Sequence, residues 1–192
     1  MLSPVAVPAR KWGGPLLDQR TRRRHTPSPP PPQRTSEREA ATRLALRKAR
    51  AVAAGLAEGL VLGADTLVVI DGDALGKPAD PDEARRMLRR LRGRAHEVIT
   101  GVALVDARTG RTRTAAELSR VLMTAYPDAL IEAYVASGGP FDKAGGYALQ
   151  ELGGALVARV EGSYTNVVGL PLAVTRRLLS EGGVLVSGAR RT

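Results

Sequence analysis

Residues 60–73 read Leu60-Val61-Leu62-Gly63-Ala64-Asp65-Thr66-Leu67-Val68-Val69-Ile70-Asp71-Gly72-Asp73. The run from Leu60 to Ile70 is mostly apolar and turns β-branched towards its end. That predicts a buried strand of the kind found in sheets covered on both faces. Asp71-Gly72-Asp73 then supplies a turn. One carboxylate, Asp65, stands inside the strand. An unpaired buried carboxylate is very costly, so Asp65 has to be paired, bound to a cation, or open to a cleft.

On the N-terminal side, Ser36 and Glu39 have capping-box spacing and predict the start of a helix. Ala41, Leu44, Ala45, Ala49 and Val52 recur at helical spacing, and Gly55 ends the pattern. Lys48 lies four residues from both Leu44 and Val52, so it is expected on the apolar face, pointing to the surface or into a cleft. Residues 1–34 contain Arg20-Thr21-Arg22-Arg23-Arg24 and Pro27-Ser28-Pro29-Pro30-Pro31-Pro32. They read as a basic, proline-rich tail. The expected organisation is this tail, a folded domain over 35–185, and a short tail over 186–192.

On the C-terminal side, Asp80-Pro81-Asp82-Glu83 is a strong helix start, with Ala84, Met87, Leu88 and Leu91 as the core stripe and Gly93 as the stop. Glu97 to Val105 reads as a second strand. Residues 111–125 carry both strand and helix signals. Asp128 to Ala136 reads as a short helix with Leu130, Ile131 and Tyr134 inward. Phe141 to Gly154 is glycine-rich and loop-like, Leu156 to Val160 a strand, and Pro171 to Leu179 the last helix. Strands alternating with helices predict an α/β layered fold of one domain, with room for two lobes around a cleft.

Composition narrows the chemistry. There are no cysteines and only two histidines, His25 and His96, which excludes disulfides, thiolate zinc sites and histidine-rich metal sites. Any metal should be a hard cation held by carboxylates and substrate phosphates, as magnesium or manganese is. No apolar run reaches the roughly 18 residues of a membrane span. No signal peptide is evident, so a cytoplasmic location is expected. Of the net charge of +10, residues 1–34 supply seven cations against Asp18 alone, leaving +4 for the other 158 residues. The basic excess belongs to the tail. With one Phe, one Trp and four Tyr, stacking platforms for nucleic acid are few.

Three lysines accompany Asp65: Lys48, Lys77 in Leu75-Gly76-Lys77-Pro78, and Lys143 in Phe141-Asp142-Lys143-Ala144-Gly145-Gly146. Lysines neutralise phosphate charge, and glycines let backbone N–H groups approach it, so the set makes a plausible polyphosphate site. Glu161-Gly162-Ser163-Tyr164-Thr165-Asn166-Val167-Val168-Gly169-Leu170-Pro171 reads equally as an anion- or base-binding segment before a helix or as a structural turn with satisfied caps. There is no Gly-Lys-Ser/Thr loop and no Gly-x-Ser-x-Gly elbow. His96 reads as a hydrogen-bonded structural histidine.

Taken in order, Gly63-Ala64-Asp65-Thr66, Gly76-Lys77-Pro78, Thr100-Gly101-Val102, Phe141-Asp142-Lys143-Ala144-Gly145-Gly146-Tyr147, Gln150 and the 161–171 segment resemble the Maf family of nucleotide pyrophosphatases, also called septum formation proteins. The match runs from about Thr35 to Leu179. The resemblance implies a mixed, twisted sheet flanked by helices with a cleft between two lobes, and hydrolysis of nucleoside triphosphates with a divalent cation. The Gly-Ser-Tyr-x-Asn-Val-Val-Gly-Leu-Pro form resembles the branch acting on dTTP and UTP. It makes Asp65 the proton acceptor and metal ligand, Thr66 and Gln150 positions linked to base selectivity, and Lys48, Lys77 and Lys143 phosphate-facing. Members of that family often pair, so a homodimer is among its implications, with the oligomeric state left open. The family's Ser-x-Ser-Pro-Arg-Arg loop has no counterpart in residues 1–34, and Gly139 and Glu151 replace a usual glutamate and glycine. Three other readings stay open at this point. One is a catalytically impaired relative that binds nucleotide or a cell-division partner, another a basic nucleic-acid-binding protein. The third is an inosine-triphosphate pyrophosphatase of similar fold.

Overall fold

The computed structural model describes residues 33–150 and 152–184. Apart from Gln33 and Arg34, the two expected tails lie outside the described residues, as does Glu151. The elements are α1 (Gln33–Ala53), β1 (Leu60–Ile70), β2 (Asp73–Leu75), α2 (Pro81–Leu91), β3 (Ala95–Asp106), β4 (Thr112–Met123), α3 (Asp128–Ala136), β5 (Val157–Glu161), α4 (Tyr164–Val168) and α5 (Leu172–Glu181). Two short 3-10 helices, Ala144–Gly146 and Leu152–Leu156, lie in the segment expected to be loop. The strands form one sheet in the order β2-β1-β3-β4-β5. The α/β class with a helix-flanked sheet holds. All four ladders among the described residues are antiparallel, where the resemblance implied a mixed sheet. Among these residues no helix is long and apolar enough to cross a membrane.

β1 is the strand that residues 60–70 predicted, but it is not covered on both faces along its length. Leu60 and Leu62 are exposed and Val61 and Gly63 buried. Residues 64–67 are half-buried, and only Val68, Val69 and Ile70 are buried in a row. Asp71 and Gly72, both at positive φ, form a two-residue hairpin turn, and the chain returns as β2, a strand the sequence reading missed. β2 pairs only with Val68–Ile70. Among the described residues the outer edge of β1 at 60–67 therefore has no strand partner.

α1 starts at Gln33, so Ser36 lies inside it and is not its cap. Its buried face is an alanine stripe, Ala41, Ala45, Ala49 and Ala53. Leu44 is only half-buried and Val52 is 59% exposed. The expected apolar stripe is thus rotated, because the sheet beneath accepts backbone rather than bulk. A Cβ at Gly63 would lie 2.5 Å from the carbonyl oxygen of Ala45, and one at Gly101 only 2.3 Å from the carbonyl carbon of Ala41. Helix backbone presses directly on strand backbone at both glycines.

Elsewhere the local signals hold. Asp80 caps α2 by accepting from the Glu83 amide at 2.7 Å, and Ala84, Leu88 and Leu91 are buried. The ambiguous 111–125 segment is β4, held as strand by pairing with β3 on one side and β5 on the other. The largest core cluster joins α2, α3, β4 and the ends of β1 and β3. Smaller clusters lie under α1 and under α5.

A nucleotide-sized cavity around the open edge of β1

Side chains alternate along β1, and the alternation separates two neighbours. Asp65 shares a face with Gly63, towards α1, and its Oδ1 meets the Lys48 ammonium. Thr66 and Val68 face the other way. Thr66 Oγ1 lies 2.9 Å from Thr100 Oγ1, its partner directly across the ladder. A cavity of about 460 Å³ reaches both faces around the open edge. It is lined by Lys48, Asp65, Thr66, Lys77, Lys143 and Gln150, among others. This is the size of a small-molecule site. All six residues singled out from the sequence thus meet in one place, although they come from α1, β1 and two separate loops.

Each is held by its own piece of the fold. Lys48 is not on the apolar face of α1. Its side chain is 59% exposed at the flank, one turn beyond Ala45, against an Asp65 side chain that is 15% exposed. Asp65 Oδ2 has no hydrogen-bond partner among the described residues. Lys143 pairs with Asp142 at 2.7 Å. That hydrogen bond, with Lys77 adding to it, holds the Asp142 carboxyl below the usual carboxylate range. The loops bearing Lys77 and Lys143 are tied together by the Gly145 amide donating to the Gly76 carbonyl at 2.9 Å. Gly145 sits at φ 72°, and a Cβ there would meet Val68 at 2.9 Å, so the second loop rests on β1 as closely as a glycine allows.

Within the 161–171 segment Tyr164–Val168 form the short helix α4, and Ser163 and Asn166 make bonds that hold it in place. Ser163 caps α4, accepting from the Asn166 amide at 3.2 Å. Asn166 is fully buried; its Nδ2 donates to the Val98 carbonyl at 3.0 Å and to Ser119 Oγ at 2.9 Å. Ser119 Oγ donates to the Ser163 carbonyl at 3.0 Å and accepts from the Ser163 amide at 3.0 Å. These bonds staple α4 to β3 and β4, and place Val167 and Val168 in the cavity wall. Sequence reading did not connect them, since the partners lie up to 68 residues apart. Asp142 it quoted but did not weigh, although its place beside Lys143 was visible.

His96 is buried, as a structural histidine should be, with Nε2 2.7 Å from the hydroxyl of Tyr147, a cavity-wall residue. Nδ1 has no protein partner among the described residues. Burial pushes the imidazole from 6.5 down to about 4. In the unfolded chain His96 protonates near its ordinary value, so between these pH values the unfolded state binds a proton the native state refuses. The stability this represents is complete above pH 6.5 and drains away as pH falls through about 4. The shift corresponds to about 3 kcal/mol. Denaturant unfolding at pH 7.5 and 4.5 should show wild type losing about 2–3 kcal/mol more than His96→Gln, which has no imidazole to titrate. Equal losses in both proteins would refute it.

Three lysines and two carboxylates, Asp65 and Asp142, line one nucleotide-sized cavity on a helix-flanked antiparallel sheet, a lining whose ammonium groups suit an anionic ligand. Comparison with known proteins carries this to a family. The family model described as "Maf-like protein" matches residues 15–182, reaching upstream of the described residues, and the chain belongs to that family. The chain is 54% identical over 145 residues to the dTTP/UTP pyrophosphatase of Moorella thermoacetica, covering 76% of this chain and 75% of that protein. It is 50% identical over 147 residues to the dTTP/UTP pyrophosphatase of Syntrophus aciditrophicus, covering 76% and 72%. With that of Shewanella oneidensis it shares 48% over 151 residues, 77% of each chain.

Proposed function

We propose that the chain is a nucleoside triphosphate pyrophosphatase that hydrolyses dTTP and UTP to the monophosphate and pyrophosphate. The observation that carries this is Asp65, a carboxylate with one oxygen unengaged by the described residues, set in one cavity with Lys48, Lys77, the Asp142–Lys143 pair, Thr66 and Gln150. The chain around that cavity is about half identical to three proteins of that printed name.

In this reading Asp65 takes the proton of a water as its oxygen bonds to the α-phosphorus. The bond from the α-phosphorus to the bridging oxygen breaks, and pyrophosphate leaves with the electron pair. Lys77 and Lys143, on loops tied together at Gly76 and Gly145, neutralise the departing charge. Lys48 orients the Asp65 carboxylate from α1. Thr66 and Gln150 meet the base.

A divalent cation fits these residues in one way. Among the described residues no cluster of three acidic or histidine side chains stands ready as a cage. A magnesium or manganese ion would be held by Asp65, through Oδ2, and by the substrate's own phosphates. That is how such ions commonly sit in phosphoryl-transfer sites. When bound, the ion polarises the phosphate oxygens and lowers the pKa of water.

The test is a panel of nucleoside triphosphates with magnesium or manganese, scored for pyrophosphate. Release from dTTP and UTP well above that from ATP, GTP and ITP is expected. Equal or faster release from ITP would overturn the pyrimidine assignment, and no release from any nucleotide would overturn the activity.

A further inference from the structure

The hydroxyl of Thr66 has a fixed polarity, and the residue that fixes it is Thr100. Thr100 is fully buried. Its Oγ1 lies 2.9 Å from two oxygens: the backbone carbonyl of Asn166, and Thr66 Oγ1. A hydroxyl has one proton to give. The carbonyl can only accept, so a Thr100 proton turned towards Thr66 would leave two oxygen lone pairs facing each other at 2.9 Å. Both contacts are satisfied in one arrangement only: Thr100 donates to the Asn166 carbonyl and Thr66 donates to Thr100. The proton of Thr66 is thereby spent inside the protein. What Thr66 shows to the cavity is a pair of acceptor lone pairs.

We propose that Thr100 is a specificity-determining residue, which by holding Thr66 as an acceptor selects a base that presents a donor there, as the imide N3–H of uracil or thymine does and the bare N3 of cytosine does not. This rests on the reading of the cavity as a pyrimidine nucleotide site. The relay is well placed to act. Thr66 is in the cavity wall, whereas Thr100 and the Asn166 carbonyl lie behind it. The carbonyl also accepts from the Gly169 amide at 3.0 Å, so its position does not depend on Thr100. A cytosine ring at this point meets lone pair with lone pair. To relieve that, Thr66 has to turn its proton outward and give up its bond to Thr100. A buried hydrogen bond lost in this way is worth about tenfold or more in discrimination.

Thr100→Val removes the hydroxyl, keeps the branched shape, and leaves the Asn166 carbonyl its Gly169 partner. Thr66 is then free to donate or accept. The readout is the ratio of affinities for UMP and CMP, measured by calorimetry, because it does not depend on turnover. Wild type should prefer UMP by at least about tenfold. Thr100→Val should bring the ratio close to one, largely by gaining CMP, and Thr100→Ser should restore it. A wild-type protein that binds CMP as well as UMP overturns the inference, and so does a folded Thr100→Val that keeps the wild-type ratio or a Thr100→Ser that loses it. The outcome stays separate from that of the substrate panel. A failed panel with an intact UMP preference sinks the hydrolysis and spares the relay.

Discussion

Asp65→Asn releases pyrophosphate from UTP about 10²–10⁴-fold more slowly than wild type, the usual range for loss of a general base, while unfolding at the same temperature within a degree or two. Asparagine keeps the size and planarity of the carboxylate but takes no proton and gives a metal ion no charge. The fold should tolerate the change because the partner left behind, Lys48, is 59% exposed and can be solvated where it stands. Steady-state pyrophosphate release and thermal melting, run on the same preparation, check both halves. Undiminished release from a folded Asp65→Asn protein would remove Asp65 from the chemistry.

Gly101→Ala should have the largest effect on stability. The added methyl would sit 2.3–2.5 Å from three backbone atoms of Ala41 and Thr42, none of which can rotate aside. Overpacking in a core commonly costs about 1–3 kcal/mol, and rigid backbone on both sides puts this case at the top of that range, near 3 kcal/mol. Gly63→Ala meets Ala45 and Ala49 in the same way. It should also disturb activity, because Lys48 and Asp65 lie just beyond that contact on their two elements. Urea unfolding measures the first effect as a lower midpoint. A change under about 0.5 kcal/mol for Gly101→Ala would mean that α1 lifts off the sheet easily, contrary to the packing described.

What the sequence made legible was whatever is decided locally. α2 was visible in full because its cap, its proline and its acidic first turn are contiguous, and β1 because a mostly apolar run of eleven residues turns β-branched towards its end. β4 was not, since Thr114-Ala115-Ala116-Glu117-Leu118 suits a helix, and only the strands on either side make it a strand. The buried stripe of α1 was misplaced for a related reason. Alanine outranks leucine there because Gly63 and Gly101 bring strand backbone against the helix and leave room for nothing larger, and those glycines lie outside it, 18 positions from Ala45 and 60 from Ala41. In the site, the six candidates could be assembled because their motifs resemble a family in order and spacing. The bonds from Thr66 to Thr100 and from Thr100 to Asn166 span 34 and 66 positions, and no local pattern announces them.

The open edge of β1 gives the site an unusual grip. Asp65 and Thr66 are neighbours in the chain yet point to opposite sides of the sheet, and one cavity touches both. In the function proposed above, a ligand that reaches both hooks over the strand, with its reacting phosphorus on one side and its base on the other. The covalent tether between base and phosphate then works as a chelate does. Once one end is seated, the other is delivered at a high effective concentration. Pyrophosphate alone or free uracil alone forfeits that advantage, so each should be a poor competitor; cutting the bond to the α-phosphorus unties the pyrophosphate, while the monophosphate keeps both ends of the hook.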